Sequence, residues 1–178
     1  EQGDFDIPAT WTAGMAFDAS PKAVITFDIQ RIEYSDVPAI ANPFNNLINT
    51  TTGCAAGVTS RCLGGAEGAG FGWRDMTIYK LGWQWEKSSD LTLRAGLSHG
   101  KQPIPDSEVL FNIIAPAVIE THLTLGFTYD ISNTSELSFQ YMHGFESSVT
   151  GANPLNPSQD VTIEMHQNEI EVSWGWKF

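Results

Sequence analysis

Glu169-Ile170-Glu171-Val172-Ser173-Trp174-Gly175-Trp176-Lys177-Phe178 ends the sequence in strict alternation. Ile170, Val172, Trp174, Trp176 and Phe178 share one parity, and Glu169, Glu171, Ser173, Gly175 and Lys177 share the other. A period of two sends successive side chains to opposite faces of a strand. One face is therefore apolar and aromatic, and the other is polar or small. Working back, the same period recurs around Leu137–Tyr141, Leu123–Tyr129, Leu91–Leu97, Thr77–Trp85, Ala23–Ile29 and Trp11–Phe17. These are about seven strands, and the fold class they predict is all-β and antiparallel.

The connections between the strands are of two kinds. Short turns are predicted at Ala19-Ser20-Pro21, Lys87-Ser88-Ser89-Asp90 and Ile131-Ser132-Asn133-Thr134. Long loops are predicted near 36–72, 101–118 and 146–160. Short turns at one end and long loops at the other describe an outer-membrane β-barrel, with periplasmic turns and extracellular loops. Gly14-x-x-Phe17, Gly82-x-x-Trp85, Gly126-x-x-Tyr129 and Gly175-x-x-Phe178 each close a strand running toward a short turn or the end of the sequence. Parity puts each glycine inward and each aromatic outward, where an interfacial aromatic girdle belongs. A β-sandwich with glycine-marked bulges is the alternative fold.

The totals agree with a barrel. The 178 residues carry a net charge of −12, and only 17% are charged. No apolar run reaches the ~18 residues of a spanning helix, and mean hydropathy is −0.15. Barrel strands average near zero because they alternate. The acidic balance argues against a nucleic-acid partner, which needs a basic patch. Glu1-Gln2-Gly3-Asp4 is not a signal-peptide start. Seven strands with the last ending in the periplasm make the first begin outside. A single-chain bacterial barrel has an even strand count, so residues 1–178 are expected to be the C-terminal portion of one larger barrel domain. Cys54 and Cys62 stand eight positions apart. That spacing allows a disulfide on an oxidising route, with two free thiols as the alternative. No nearby His or Cys completes a metal set, and no cofactor motif is present.

Several residues are candidates for contact with a ligand. The loop after Gln102 holds Val109-Leu110-Phe111 and Ile113-Ile114, too apolar to lie bare in water. It is expected either to fold inward and line a pocket or to pack as a satellite core. Ile163 and Met165 fall on inward parity, where apolar residues suit a hydrophobic ligand. Arg74 and Lys80 are inward by parity and suited to meeting a carboxylate, or to pairing with interior charges such as Asp28, Arg94, Glu120, Glu169 and Glu171. Asp36, Asp106, Glu108, Glu146 and Asp160 lie in or beside loops, where they either stay solvated or bridge through cations to lipopolysaccharide. His99, His143 and His166 fall outward and His122 inward, with no nucleophile motif beside them, so an enzyme is not indicated.

Ile7-Pro8-Ala9-Thr10-Trp11, Gly72-Trp73-Arg74-Asp75-Met76-Thr77-Ile78-Tyr79-Lys80-Leu81-Gly82, Leu93-Arg94-Ala95-Gly96, Gln102-Pro103-Ile104-Pro105-Asp106, Tyr141-Met142-His143-Gly144 and Trp174-Gly175-Trp176-Lys177-Phe178 follow one another at characteristic spacings. In that order they resemble the C-terminal half of the FadL-type family of outer-membrane fatty-acid and hydrocarbon transporters. The resemblance implies a barrel of about fourteen strands, a lumen-plugging hatch and a lateral exit, the last two belonging to an N-terminal half. It further implies passive uptake of a hydrophobic small molecule. The expected partners are that substrate, outer-membrane lipid and lipopolysaccharide, and the assembly machinery reading Phe178. A surface-interaction role, as an adhesin or phage receptor, is the alternative; loops folded inward favour uptake.

Overall fold

The computed structural model describes residues 6–176. Seven strands form one antiparallel sheet in sequence order: β1 (Ala9–Ser20), β2 (Ala23–Glu33), β3 (Met76–Glu86), β4 (Leu91–Gly100), β5 (Thr121–Ser132), β6 (Ser135–Ala152) and β7 (Asp160–Trp176). Each pairs with its neighbour in sequence, as hairpins and long connections dictate. Among the described residues, the outer edges of β1 and β7 have no strand partner. No described helix is long and apolar enough to cross a membrane.

The register carries the alternation across all seven strands. Phe17, Ile25, Trp83, Ala95, Leu125, Tyr141 and Ile170 form one row of consecutive cross-strand partners. Most of this face is apolar and open: Met15, Phe17, Leu81, Trp83, Leu97, Leu125 and Val172 are all exposed. A sheet with its apolar side bare in this way is built to meet hydrocarbon rather than water. The opposite face is polar. Arg94 donates from Nε to Gln84 at 2.9 Å and from Nη1 to Thr128 at 2.8 Å, and Thr128 meets Ser138 at 2.9 Å. One polar chain thus crosses four strands. The repeated glycines lie on this face: the Asp28 side chain lies across Gly14, and Thr26 across Gly82. A Cβ at either would collide with the neighbouring strand's polar group.

The sequence predicts a long loop over 146–160, but β6 runs on to Ala152 and β7 starts at Asp160, leaving a connection of 153–159. A register shift between Gly144 and Ser147 explains the difference. The extra residue reverses parity on β6, so Ser147, Val149 and Gly151 continue on the inner face opposite Met165, Ile163 and Val161. The broken alternation at Phe145-Glu146 is a bulge inside a strand, not the end of one.

The two other connections at this end fold together as a cap over the polar face. The first contains α1 (Pro38–Ala41) and α2 (Asn45–Ile48), each a single turn, then the disulfide-linked Cys54 and Cys62 with Cα atoms 4.7 Å apart. The second runs from Lys101 to Glu120 and contributes Ile104, Val109 and Val118 to a core completed by Val149 of β6 and Ile163 of β7. Each such aliphatic is worth roughly 1.5–3 kcal/mol when fully buried. The exposed Arg61–Glu67 pair is worth no more than about 1 kcal/mol. Apolar packing therefore fixes the cap. Gly151 admits it, because a Cβ there would overlap the Asp106 carbonyl oxygen and crowd Val109. Gly151→Val should displace the 101–120 connection at a cost of about 1–3 kcal/mol. Limited proteolysis would show faster cleavage in that connection while the sheet keeps its resistance.

Candidate functional site

Beneath the cap, on the polar face, is a cleft of about 240 Å³. Its walls are unlike the rest of that face. Tyr34 and Trp73 come from the ends of the first long connection, Met76 from the start of β3, Pro116 and Ala117 from the second connection, and Met165 from β7. Ile119, Pro103, His122 and Gln167 complete it. Mostly apolar walls with a few polar groups are what a small hydrophobic ligand needs. Trp73, Ala117 and Met165 also pack against the buried aliphatic core, so the cap's interior forms one side of the cleft.

Aromatic rings lead into the cleft from the cap. Phe44 stacks on Phe111 at 4.9 Å, Phe111 on Phe71 at 5.4 Å, Phe71 meets Trp73 at 5.7 Å, and Trp73 meets Tyr34 edge-on at 5.0 Å. Contacts of this kind add about 0.5–1.5 kcal/mol each beyond burial. Asn112 holds the series together. It is fully buried, accepts the Trp73 indole N–H, and donates to the carbonyls of Phe71 at 2.7 Å and Glu108 at 2.9 Å. Burial raises the Tyr34 phenol above its ordinary pKa, so the hydroxyl stays neutral at the mouth of the cleft.

Two carboxylates fix the entry segments. Glu108 accepts the Phe44 backbone N–H at 2.8 Å and is buried. The expectation that it stays solvated is thereby corrected: an apolar cap leaves that N–H without water, and the carboxylate replaces it. Asp75 accepts the Ser35 N–H at 2.9 Å and pairs with Arg31 at 2.8 Å. The Ser35 N–H, chiefly, holds its carboxyl below the usual carboxylate range, with Arg31 adding to the shift and burial opposing it.

The predicted residues are dispersed. Met165 lines the cleft. Val109 has no exposed surface and Ile163 only 8%, so both support the cap from its core and have no face left for a ligand. Phe111 is inside the ring series, and Leu110 is half-buried beside it. Ile113 and Ile114 remain exposed, at 55% and 71%. Lys80 faces inward opposite Asp28 in register, about 13 Å along β3 from Met76. Arg74, expected to face inward, instead borders an outward-facing cleft with Thr77, Tyr79 and His99, because it precedes β3 and the strand's parity does not extend to it. Tyr34, Met76, Pro116, Ala117 and Ile119 were not among the expected contacts. Met76 and His122 lie on inward parity and were within reach of the alternation argument. Tyr34 opens a single 3-10 turn and Pro116 sits in irregular backbone, and in both strand parity is silent.

Two outcomes follow. Asn112→Ala leaves the Trp73 N–H and the Phe71 carbonyl without their partner, and should destabilise the cap by roughly 1–3 kcal/mol. Red-shifted, more quenchable tryptophan emission would register it. Asp75 has a lowered folded pKa, so its contribution is complete above the ordinary carboxylate range near about pH 4. It is lost as pH falls through the lowered value. The Ser35 amide resonance should titrate with a midpoint below that range, and Asp75→Asn should abolish the titration.

The chain matches the outer membrane protein transport protein family (OMPP1/FadL/TodX) over residues 2–174. No curated protein is similar enough in sequence to be matched. Among solved structures, the Pseudomonas putida toluene transporter TodX is similar at 20% identity and a TM-score of 0.61, over 98% of this chain and 36% of that one. The Ralstonia pickettii toluene transporter TbuX is similar at 13% identity and a TM-score of 0.55, over 97% and 34%. A Pseudomonas aeruginosa FadL homologue is similar at 11% identity and a TM-score of 0.58, over 94% and 34%. The chain thus spans a little over a third of these proteins' length. At these identities the structures establish the fold, and the family match establishes the rest: this chain belongs to the OMPP1/FadL/TodX family of bacterial outer-membrane transport proteins.

Proposed function

We propose that the chain is the C-terminal portion of a passive uptake channel for long-chain fatty acids or hydrocarbons. The observation that carries this reading is the apolar cleft of Trp73, Met76, Ala117 and Met165, set into an otherwise polar inner face beneath an inward-folded cap. The first contact is made by the exposed Ile113 and Ile114, and the ring series from Phe44 to Trp73 leads inward. Met165 adapts to ligands of different shape, since its side chain is unbranched and polarizable. Transfer runs down the gradient, because release into a membrane stabilises a hydrophobic solute without coupled chemistry. Further strands close the outer edges of β1 and β7, which have no strand partner among the described residues, as an open ladder is not viable in lipid. Phe178, the residue expected to be read by the assembly machinery, lies outside the described residues.

The exposure of Ile113 and Ile114 also favours a second reading, a surface-interaction role for the cap. One experiment separates the two. The full-length protein carrying this chain is expressed in a bacterium lacking its own fatty-acid importer, and uptake of labelled oleate and labelled toluene is measured. Wild type should take up at least one. Met165→Asp should lower the rate about tenfold or more by placing a charge in the cleft. Ile113→Asp with Ile114→Asp should raise the half-saturating concentration. Uptake of neither compound by correctly inserted wild type would overturn the channel and favour surface interaction.

A further inference from the structure

The cations of this chain are few and unevenly placed. There are 9 Lys and Arg residues against 21 Asp and Glu. Three of the nine, Arg31, Arg74 and Lys101, border one outward-facing cleft of about 430 Å³ where β2, β3 and β4 reach the capped end of the sheet. The two carboxylates bordering it are Asp75 and Asp106. Asp75 is engaged by Arg31, which Glu33 also holds at 3.3 Å. Arg74 and Lys101 are exposed, and neither has a carboxylate within ion-pair distance among the described residues.

The height of the cleft is set by the strand. Eight residues separate Thr77, at its floor, from Trp85 at the short-turn end. That is about 26 Å along a strand, or about 20 Å of height at the usual barrel tilt. An outer-membrane barrel's apolar band is about 25 Å tall. Arg74 and Lys101 therefore stand where the hydrocarbon of the outer leaflet ends. Directly below them on the same face, Tyr79, Leu81 and Leu97 are exposed. Cations above and bare apolar side chains below fit an amphipath with an anionic head and acyl chains.

We propose that this cleft binds a phosphate of the lipopolysaccharide headgroup, whose acyl chains lie along Tyr79, Leu81 and Leu97. Arg74 and Lys101, without an ion-pair partner among the described residues, supply the positive charge, and Arg31, held by Asp75 and Glu33, shapes the floor. The site lies on the other face of the sheet from the hydrophobic cleft, with Pro103 bordering both, and transport does not enter into it.

The full-length protein carrying this chain, purified in detergent, is titrated with lipopolysaccharide, with the same lipid after phosphate removal, and with inorganic phosphate. Bound lipid is counted by native mass spectrometry. Arg74→Ala with Lys101→Ala should weaken binding of phosphorylated lipid by about tenfold or more. Lys22→Ala with Lys87→Ala, at the short-turn end, should leave it unchanged. Removing the phosphates should reproduce the loss for wild type and cost the first double variant little. Heat-modifiable mobility on gels confirms that each variant is folded. Equal binding of phosphorylated and dephosphorylated lipid would overturn the proposal, as would equal loss in both double variants. Inorganic phosphate binding as tightly as the lipid would overturn it by making the acyl contacts irrelevant.

Discussion

Backbone hydrogen bonding in the absence of water is the constraint on which the structure depends. In hydrocarbon every N–H and C=O must find a partner within the protein, and an unmet group costs several kcal/mol. The antiparallel ladder meets this demand across β1 to β7, with unbroken runs of partners from Phe17 across to Ile170. Once the ladder is fixed, the pleat sorts the side chains. The apolar set meets lipid, and Gln84, Arg94, Thr128 and Ser138 satisfy one another inside. The two-faced character of the sheet follows from backbone chemistry.

A polar inner wall would by itself suit water. Here the cap changes it locally. The bulge between Gly144 and Ser147 turns Val149 toward the second long connection, and Gly151 lets that connection lie directly on β6. Val109, Val118 and Ile104 then close over Ile163, leaving Trp73, Ala117 and Met165 as a lining. The cleft is thus the unfilled margin of a small core. This explains why its lining residues come from five separate stretches of sequence, and why Val109 and Ile163 sit behind it.

Polar groups give the cap a single arrangement. Asn112 joins the two long connections through two hydrogen bonds, to Trp73 and the Phe71 carbonyl, and makes a third within its own; Glu108 and Asp75 each hold a backbone N–H of the first connection. Buried and satisfied, such groups penalise every alternative packing that would leave them unpaired.

The strands, their parity, their order and the two kinds of end can be read from the residues alone, because a period of two is a local property that survives without tertiary information. The four strand-closing glycines and the outward Phe17, Trp85 and Tyr129 were legible for the same reason. The family resemblance was legible in short motifs such as Trp73-Arg74-Asp75, which the family match bears out. The end of β6 is settled by strand pairing, since a bulge and a loop break the alternation alike. The tertiary structure also decided which apolar residues of the 101–120 connection are core and which are surface. Val109 and Ile114 have similar side chains, and the first is enclosed while the second is 71% exposed. It drew Tyr34 and Trp73 beside Met165, across more than 90 residues of sequence. Proximity at that separation is set by packing of the whole cap, and no local pattern encodes it.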